Sequence, residues 1–476
     1  MEADLKSLNI VFCSLVVFLI GCASISLTEV SKQYYGGSAT KAYELAKKGA
    51  NLPKTKDNGE KEEAKEASGD ELLWQIQGGI IGFDLQKPEA KDFLELAEKN
   101  INANELQGIL ASFFENFGAV LVNDTIMTYK GFLYEGAMVN YYKALLYMSE
   151  GKNADARVEL NRASDRQRRI KEYYEKEILK AQEKEQGAYK NKENKGDPSK
   201  QKGEGDKILQ SYSNLSKFSS LNGYINPMID YVSGLFFMLE GDSSKAIDFL
   251  KESYGVSQVD LVKEDLEKAQ KGGYKKKQTW VIIEDGKSPF KVEKRFALPV
   301  YTGSSLLNVA IALPDMKEGV EFAKTYQARG ANSYEAQKIS SLNPLVFNEF
   351  SKQIPFIITR GVISTTTKAL IQHGAQQGTK GTGWLNVFAT LGGMIYTVAT
   401  TKADLRISTL MPNSFYVMRI ENAEGEYKIF ADNRQIGKIN FSQKCDNKHS
   451  LCMDQNHIVY IRNAQKNIFD QVLYSK

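Results

Sequence analysis

Residues 144–163 read ALLYMSEGKNADARVELNRA, and residues 234–253 read GLFFMLEGDSSKAIDFLKES. Both stretches place small and bulky residues at the same offsets, with a glycine between two helical patterns. The matched positions are Ala144, Tyr147, Gly151, Ala156, Leu160 and Ala163 in the first stretch, and Gly234, Phe237, Gly241, Ala246, Leu250 and Ser253 in the second. Small residues let two antiparallel helices approach closely, and the bulky ones fill the groove between them. The two stretches therefore predict helical hairpins.

A weaker copy of this pattern, without the turn glycine, runs through Gly78, Ile81, Ala90, Leu94 and Ala97. Ala90 lies 66 positions before Ala156, which is roughly two periods of the 34-residue tetratricopeptide repeat that these offsets resemble. We therefore expect a tetratricopeptide-like α-helical repeat domain over residues 71–272. Helical hairpins that form no tandem array produce similar offsets and are the alternative.

Two segments carry many charges, Gly and Ser, and almost no aliphatic residues. They are residues 51–70 (NLPKTKDNGEKEEAKEASGD) and residues 182–206 (QEKEQGAYKNKENKGDPSKQKGEGD). Such a composition buries too little apolar surface to offset the entropy cost of ordering the chain. We expect a flexible tether over residues 22–70 and a disordered insertion near residues 182–206.

The pattern changes after the helical region, where short β-rich runs begin. Strand-like runs occupy residues 279–286, 290–296 and 306–313, and further ones follow Pro412. Helical periodicity returns at residues 344–373 and 384–402. The sequence thus predicts an α+β fold, with a mixed α+β domain over residues 273–412 and a small β-rich C-terminal unit over residues 413–476. Residues 384–399 are expected to form a buried helix, with a membrane-dipping hairpin as the alternative.

The N-terminus combines a short charged stub, an apolar run from Leu8 to Ile20 and a cysteine. The run is too short to span a bilayer and is typical of an export signal. Its end, Leu19-Ile20-Gly21-Cys22, resembles the bacterial lipobox, in which cleavage precedes the cysteine and the thiol receives a diacylglycerol. This predicts a lipoprotein signal peptide over residues 1–21 and lipidation of Cys22. An uncleaved apolar helix with an incidental cysteine is the alternative.

Several blocks together resemble a poorly characterised family of bacterial lipoproteins with a tetratricopeptide-like N-terminal region. The blocks are residues 141–145 with 156–162, Asn226-Pro227 with Tyr231 and Gly234, residues 281–291, Ile354-Pro355 with Arg360 and Lys368, residues 403–406, and residues 410–412. The resemblance implies an envelope location and a helical scaffold, and it carries no information about enzymatic activity. Ala23, which follows the lipobox cysteine, resembles the sorting signal for the outer membrane.

Two groups of charged residues are candidates for binding a partner. Arg157, Glu159 and Arg162 lie on one predicted helix, where Glu159 and Arg162 can pair because they are three positions apart. Asp404 and Arg406 lie between an apolar helical pattern and the Pro412 turn. The first group is a candidate for binding a carboxylate or the C-terminus of a partner, and the second is a candidate for orienting the carboxylate of a substrate. The alternatives are an ion-paired helix surface for the first group and a lock on a helix end for the second.

The C-terminal unit contains Cys445, His449, Cys452 and His457 within 13 residues. In an oxidising compartment Cys445 and Cys452 most simply form a disulfide. A zinc site formed by these two cysteines with His449 and His457 is one alternative, although the spacing departs from the usual Cys-x2-Cys pattern. Free thiols are the other alternative.

Composition limits the classes of function. The net charge is only +4, with acidic and basic residues interspersed, so we expect no nucleic-acid partner. The chain has three histidines, two of them in the cysteine-containing tail, and no catalytic constellation or cofactor motif is evident. The leading hypothesis is a lipid-anchored outer-membrane scaffold that binds other envelope proteins. One alternative is an envelope hydrolase or transferase with Asp285, Asp404 or Arg406 in its site, and another is a ligand-binding receptor using Trp280 and Trp384.

Overall fold

The computed structural model describes residues 26–53, 69–114, 127–192, 194–218, 223–302, 306–378, 402–445 and 450–476. The predicted signal peptide with Cys22 and the predicted helix at residues 384–399 lie outside these ranges. Among the described residues, no helix combines the length and the apolar character needed to cross a membrane.

Helices dominate the first part of the chain. They are α1 Leu27–Tyr35, α2 Ala39–Gly49, α3 Glu71–Asp84, α4 Ala90–Gln107, α5 Leu133–Ser149, α6 Asn153–Lys190, α7 Pro198–Gln210, α8 Pro227–Leu239, α9 Ser243–Ser257, α10 Asp260–Gln270 and, between strands, α11 Asn343–Gly378. Two short 3₁₀ helices, Ala111–Phe114 and Ser213–Phe218, connect some of them.

Strands dominate the rest of the described chain. They are β1 Gln278–Asp285, β2 Phe290–Tyr301, β3 Leu306–Lys317, β4 Tyr326–Arg329, β5 Ser333–Glu335, β6 Gln337–Ser341, β7 Ser414–Glu421, β8 Gly425–Ala431, β9 Arg434–Ser442, β10 Leu451–Cys452, β11 His457–Ala464 and β12 Asn467–Ser475. The first sheet has the order β12-β11-β1-β7-β6, the second sheet has the order β10-β9-β8-β4-β5, and β2 pairs with β3 as a separate ribbon. The fold is therefore mixed α+β, as the sequence predicts.

The predicted helical hairpins are present. Gly234 on α8 lies so close to α9 that an added Cβ would sit 2.6 Å from Cγ of Leu250. Between these helices Gly241 adopts a φ of +83°, a conformation that glycine reaches without strain. A tandem tetratricopeptide array is not confirmed. Helix α6 has 38 residues and continues past the end of α5, its partner in the hairpin. In a tandem array the next hairpin would begin at that point.

The first sheet is buried on both faces and forms the middle of three layers. All eight residues of β1 are buried, and its side chains alternate between two cores. Trp280 and Ile282 pack into the core shared with the helices, whereas Val281 and Ile283 pack into the core shared with the second sheet. A strand covered on both faces is apolar where both faces meet hydrophobic cores, which explains the run WVII in the middle of this strand.

The structure corrects one predicted domain boundary and two segments that were predicted to be flexible or disordered. The boundary at residue 413 is wrong, because β1 pairs in parallel with β11 and antiparallel with β7, so strands from both predicted units form one sheet. The flexible tether is wrong for α1 and α2, because Val30, Tyr34 and Ala42 are fully buried in the main core. Burial of a few side chains outweighs the ordering cost of these short helices.

The predicted disorder near residues 182–206 is also wrong for most of that segment. Helix α6 continues to Lys190, and α7 begins at Pro198. Asn194 and Gln201 exchange two side-chain hydrogen bonds of 2.9 Å, and α7 packs against α11. The charged composition of this segment does not predict its helices, because the stabilising contacts come from α11, which is distant in sequence.

Candidate functional site

A cavity of about 310 Å³ lies where α11, the first 3₁₀ helix, the start of β2 and the segments before α5 and β7 meet. We call it the Arg406 cavity. Its lining residues are Ile109, Ser112, Phe113, Met127, Thr128, Tyr129, Lys130, Gly131, Phe132, Lys291, Pro314, Gln353, Ile357, Arg360, Asp404 and Arg406. This volume is at the lower end of the range for small-molecule sites, and the walls combine apolar surface with a few polar groups.

Asp404 and Arg406, both predicted as site residues, form one edge of this cavity. Arg406 donates from Nε and Nη2 to the two carboxylate oxygens of Asp404, at 2.8 Å each. Its Nη1 atom donates to Oδ1 of Asp70 and to the backbone oxygen of Met127, at 2.7 Å each. The planar guanidinium thus joins the segment before β7 to the segments before α3 and α5.

The charges of the cavity favour an anionic ligand. Four basic residues (Lys130, Lys291, Arg360 and Arg406) and one acidic residue, Asp404, line it. Although burial by itself raises the pKa of Asp404, its hydrogen bonds with Arg406 and the charge of Lys291 lower the pKa below the usual value. Asp404 is therefore ionised at neutral pH, and Asp70 adds a second negative charge beside Arg406. The lining itself still carries an excess of positive charge.

The segment before α5, which forms one wall of the cavity, is fixed by hydrogen bonds to Glu135. This buried carboxylate accepts hydrogen bonds from the Tyr129 hydroxyl at 2.9 and 3.0 Å and from the backbone N–H of Phe132 at 3.0 Å. It also accepts the backbone N–H of Ser408 at 2.9 Å. Two segments that line the cavity are thus held by one side chain, which limits their movement.

Among the described residues, the lining of the cavity contains no Ser–His or Cys–His pair. None of the described lining residues is a histidine or a cysteine, and the hydroxyl of Ser112 donates to the backbone oxygen of Ile109 at 2.7 Å. The described part of the chain also contains no cluster of residues that could hold a metal ion.

The other predicted binding group, Arg157, Glu159 and Arg162, lies elsewhere and serves the packing of the helices. Glu159 is buried and accepts hydrogen bonds from Lys143 and Arg162, at 2.9 and 2.8 Å. Arg157 forms an ion pair of 3.0 Å with Asp242 on the neighbouring hairpin. These contacts fit the alternative of an ion-paired surface between helices.

Asp285 and Trp280, named in the two alternative hypotheses, are fully buried. Asp285 accepts hydrogen bonds from the hydroxyl of Tyr326 at 2.7 Å and from the amide of Asn463 at 2.9 Å. The indole of Trp280 donates to Asp265 at 3.1 Å. Both residues join elements of the core and line no described cavity; Trp384 lies outside the described residues.

Cys445 and Cys452 form a disulfide, which is the first of the alternatives considered for them. His457 is buried, and its two ring nitrogens contact the hydroxyl of Ser475 and the backbone oxygen of Cys452, at 2.8 Å each. The two thiolates that a zinc site would need are thus joined to each other, and His449 lies outside the described residues.

Sequence reasoning did not assign Lys291, Gln353 and Arg360 to a site with Asp404 and Arg406. Lys291 and Arg360 belong to blocks of the family resemblance, but they are separated by 69 positions. No spacing rule joins residues on a strand, a helix and a loop that are this distant. Only the packing of α11 across the start of β2 brings them together.

No protein-family model, no curated protein and no solved structure matches this chain. The resemblance to the lipoprotein family therefore stays a prediction.

Proposed function

We propose that this chain is a non-enzymatic lipoprotein of the bacterial envelope that is anchored through Cys22 and holds a second envelope protein at the Arg406 cavity. The single observation that carries the proposal is the lining of the cavity, where four basic residues and one acidic residue lie beside apolar walls. The ligand group that fits is a carboxylate next to an apolar side chain. The C-terminus or an acidic side chain of the partner supplies such a group.

The cavity is a better binding site than the face of the helical hairpins. Residues 133–148 of α5 are all buried, and the hydroxyl of Tyr142 on this helix donates to Glu284 of β1 at 2.7 Å. The first sheet of the same chain thus occupies the side of α5 on which a solenoid would present its groove. A partner meets the chain elsewhere.

A hydrolase or transferase is less well supported. Asp285, Asp404 and Arg406, the residues suspected for that activity, all form hydrogen bonds within the chain. The carboxylate oxygens of Asp285 and Asp404 are engaged in these structural contacts. The two residues are therefore poorly placed to act as a nucleophile or a general base.

Site-specific photo-crosslinking in intact cells tests the proposal. A photoreactive residue at Thr128, which lines the cavity, should capture a defined partner, whereas the same residue at the exposed Lys428 of β8 should not. Lys291→Glu reverses one charge of the lining and should abolish capture from position 128. Lys291→Gln, a milder change, should weaken it.

Two results would contradict the proposal. The first is equal capture from positions 128 and 428, or capture that is insensitive to both substitutions at Lys291 in a folded protein. The second is the absence of capture together with turnover of a cell-wall substrate by the purified full chain. Circular dichroism of both Lys291 variants separates loss of binding from loss of fold.

A further inference from the structure

Very little chain separates the predicted anchor from the first helix. Helix α1 begins at Leu27, and its N-cap Ser26 accepts a hydrogen bond from the backbone N–H of Thr28 at 3.2 Å. Only residues 23–25 lie between Ser26 and Cys22. The four steps from Cys22 to Ser26 span at most about 14 Å even when the chain is fully extended. The start of α1 therefore lies close to Cys22, whatever conformation the linking residues adopt.

Helix α1 is fixed to the rest of the chain and cannot act as part of a tether. Val30 and Tyr34 are fully buried in the main core, and the ring of Tyr34 stacks on Phe469 of β12. The hydroxyl of Tyr35 donates to the backbone oxygen of Thr409 at 2.8 Å. Detaching α1 would expose these buried side chains to water, which is unfavourable. The short link to Cys22 therefore limits the distance between the anchor and the folded chain.

The start of α1 lies at the same end of the helical layer as the end of α2 and the start of α3. Three residues join α1 to α2, a length typical of antiparallel helical hairpins. Helix α2 is in turn antiparallel to α3. An added Cβ at Gly49, at the end of α2, would lie 2.3 Å from the ring of Trp74, and one at Gly82, near the end of α3, would lie 3.1 Å from the ring of Tyr43.

We call this end of the helical layer, which includes Ser26, Lys48, Asn51 and Asp70, the anchor end. Ser26, Lys48 and Asn51 are exposed and polar. Residues 54–68 connect α2 to α3 at this end and lie outside the described residues; their sequence, KTKDNGEKEEAKEAS, has four lysines and five acidic residues. This composition favours contact with polar headgroups over insertion among acyl chains.

We propose that the lipidated Cys22 holds the anchor end against the headgroup layer of the membrane. The proposal rests on the lipid anchor of the proposed function and adds the orientation of the folded chain. Lysines and acidic residues are interspersed at the anchor end, so the short covalent link, and not charge attraction, keeps this end at the membrane. The predicted tether over residues 22–70 would have let the folded chain rotate freely.

This orientation places the Arg406 cavity near the membrane. Asp70, the N-cap residue of α3, accepts a hydrogen bond from Arg406 at 2.7 Å. The backbone N–H of Tyr129, which lines the cavity, donates to the backbone oxygen of Gly69 at 2.9 Å. The cavity is thus joined directly to the anchor end. A partner that binds there does so close to the headgroups, which suits a protein embedded in the same membrane.

Energy transfer from labelled cysteines to dye-labelled lipid headgroups tests the orientation in vesicles that contain the purified lipidated chain. Lys48→Cys places a label at the anchor end. Lys466→Cys places one at the opposite end, because Cβ of Lys466 lies 3.6 Å from the position of an added Cβ at Gly37, in the turn between α1 and α2. Transfer from residue 48 should exceed transfer from residue 466 at least about twofold, since the length of α2, about 16 Å, separates the two ends.

A longer tether should remove this difference. Twelve Gly/Ser residues inserted after Ser24 lengthen the link to α1 by about 19 Å on average, so the ratio of the two transfer efficiencies should fall to about one. The matched control has the same insertion after Gly59, between α2 and α3. That insertion leaves the link between Cys22 and Ser26 unchanged, so the ratio should stay at the wild-type value.

Mass spectrometry of the purified chain distinguishes failure of the anchor from failure of the orientation. If Cys22 carries no acyl chains, the lipid anchor of the proposed function is wrong and the orientation is wrong with it. If Cys22 is acylated, transfer from residue 466 that equals or exceeds transfer from residue 48 overturns the orientation alone. A ratio that the insertion after Ser24 leaves unchanged overturns it as well, because the short link then does not set the orientation.

Discussion

The carboxylate of Glu349 accepts a hydrogen bond of 2.8 Å from the backbone N–H of Leu133, the first residue of α5. The same oxygen accepts the hydroxyl of Tyr174 at 2.9 Å, and the other oxygen accepts the N–H of Tyr134 at 2.8 Å. A side chain of α11 thus satisfies two of the four amides that the start of a helix leaves without a partner. Glu349 joins α11 to the helical layer beside the Arg406 cavity.

Replacing Glu349 with Ala should lower the free energy of unfolding by about 2–4 kcal/mol, because two buried N–H groups lose their acceptor. Urea denaturation of the purified variant measures this difference. Glu335→Ala, at an exposed position on β5, should change the value by no more than about 0.5 kcal/mol. Equal stability of the two variants would show that Glu349 does not cap α5.

The close approach of α8 and α9 makes a second prediction. Gly234→Ala should destabilise the chain by about 1–3 kcal/mol, because the new Cβ would overlap Leu250. Gly187→Ala on α6 is the matched control, since an added Cβ there meets no atom within 4 Å. That variant should be neutral or more stable by up to about 1 kcal/mol. Thermal unfolding of both proteins compares them, and the reverse order of stability would contradict the packing described.

Stability should depend on pH through Asp84 in the buried contact between α3 and the first sheet. Burial raises the pKa of Asp84 to about 7, although the charge of Arg462 and the hydroxyls of Tyr34 and Tyr460 oppose the effect. An unfolded Asp has a pKa of about 3.9, so the folded chain binds more protons between these values. The contribution of this group to the free energy of unfolding is full below about pH 4 and is lost as the pH rises towards 7.

Asp84→Asn should therefore reduce the fall in stability between about pH 4 and pH 7, because an amide does not ionise in this range. Asp230 and Glu349, whose pKa values are raised by burial to about 7 and about 8, act in the same direction. The informative quantity is thus the difference between the variant and the wild type in urea titrations across this range. Asp248→Asn, at an exposed position, should show the same dependence of stability on pH as the wild type. If Asp84→Asn shows that dependence as well, the prediction is wrong.

The disulfide between Cys445 and Cys452 closes a short loop, with a sequence separation of 7. Loop-closure entropy gives a loop of this length about 2 kcal/mol of stabilisation. The Cys445→Ser/Cys452→Ser double variant should lose about that amount in urea denaturation. Thiol labelling of the unfolded wild type should modify these two cysteines only after reduction. Labelling without reductant would favour free thiols.

Arg406 should not be replaceable by Lys, because an ammonium cannot contact both oxygens of Asp404 while also reaching Asp70. Arg406→Lys should therefore lower the free energy of unfolding by about 1–3 kcal/mol. Arg295→Lys alters a more exposed pair with Glu293 and should cost less than about 0.5 kcal/mol. Chemical denaturation measures the loss of stability of each variant. Equal losses would contradict the prediction.

The sequence predicts the local elements well where a pattern repeats within one element. The hairpins near Gly151 and Gly241, the strand beginning near Thr279 and the long helix after residue 343 all follow from short-range spacing. Helices α1, α2 and α7 could not be predicted, because these segments become ordered only through contacts with residues that are distant in sequence. The buried Tyr34 illustrates this point, since its hydroxyl bonds to Asp84 and its ring stacks on Phe469.

The candidate site could be predicted only in part. Asp404 and Arg406 were candidates because two opposite charges lie close together at the end of an apolar segment. Lys291 and Arg360 were not assigned to them, because a cavity is a property of surfaces that meet and leaves no periodic signal in any one segment. The lipid anchor at Cys22 remains a prediction from the lipobox alone.

The sequence by itself determined which residues form hairpins and strands, because small residues at helical offsets and apolar runs act within a few turns of chain. The tertiary structure decided how those elements combine. β1 pairs with β11, whose residues lie 178 positions later at the bridge between Thr279 and His457. Both faces of β1 must be covered to remove its apolar side chains from water, and only elements distant in sequence can cover them. The same packing produced the Arg406 cavity.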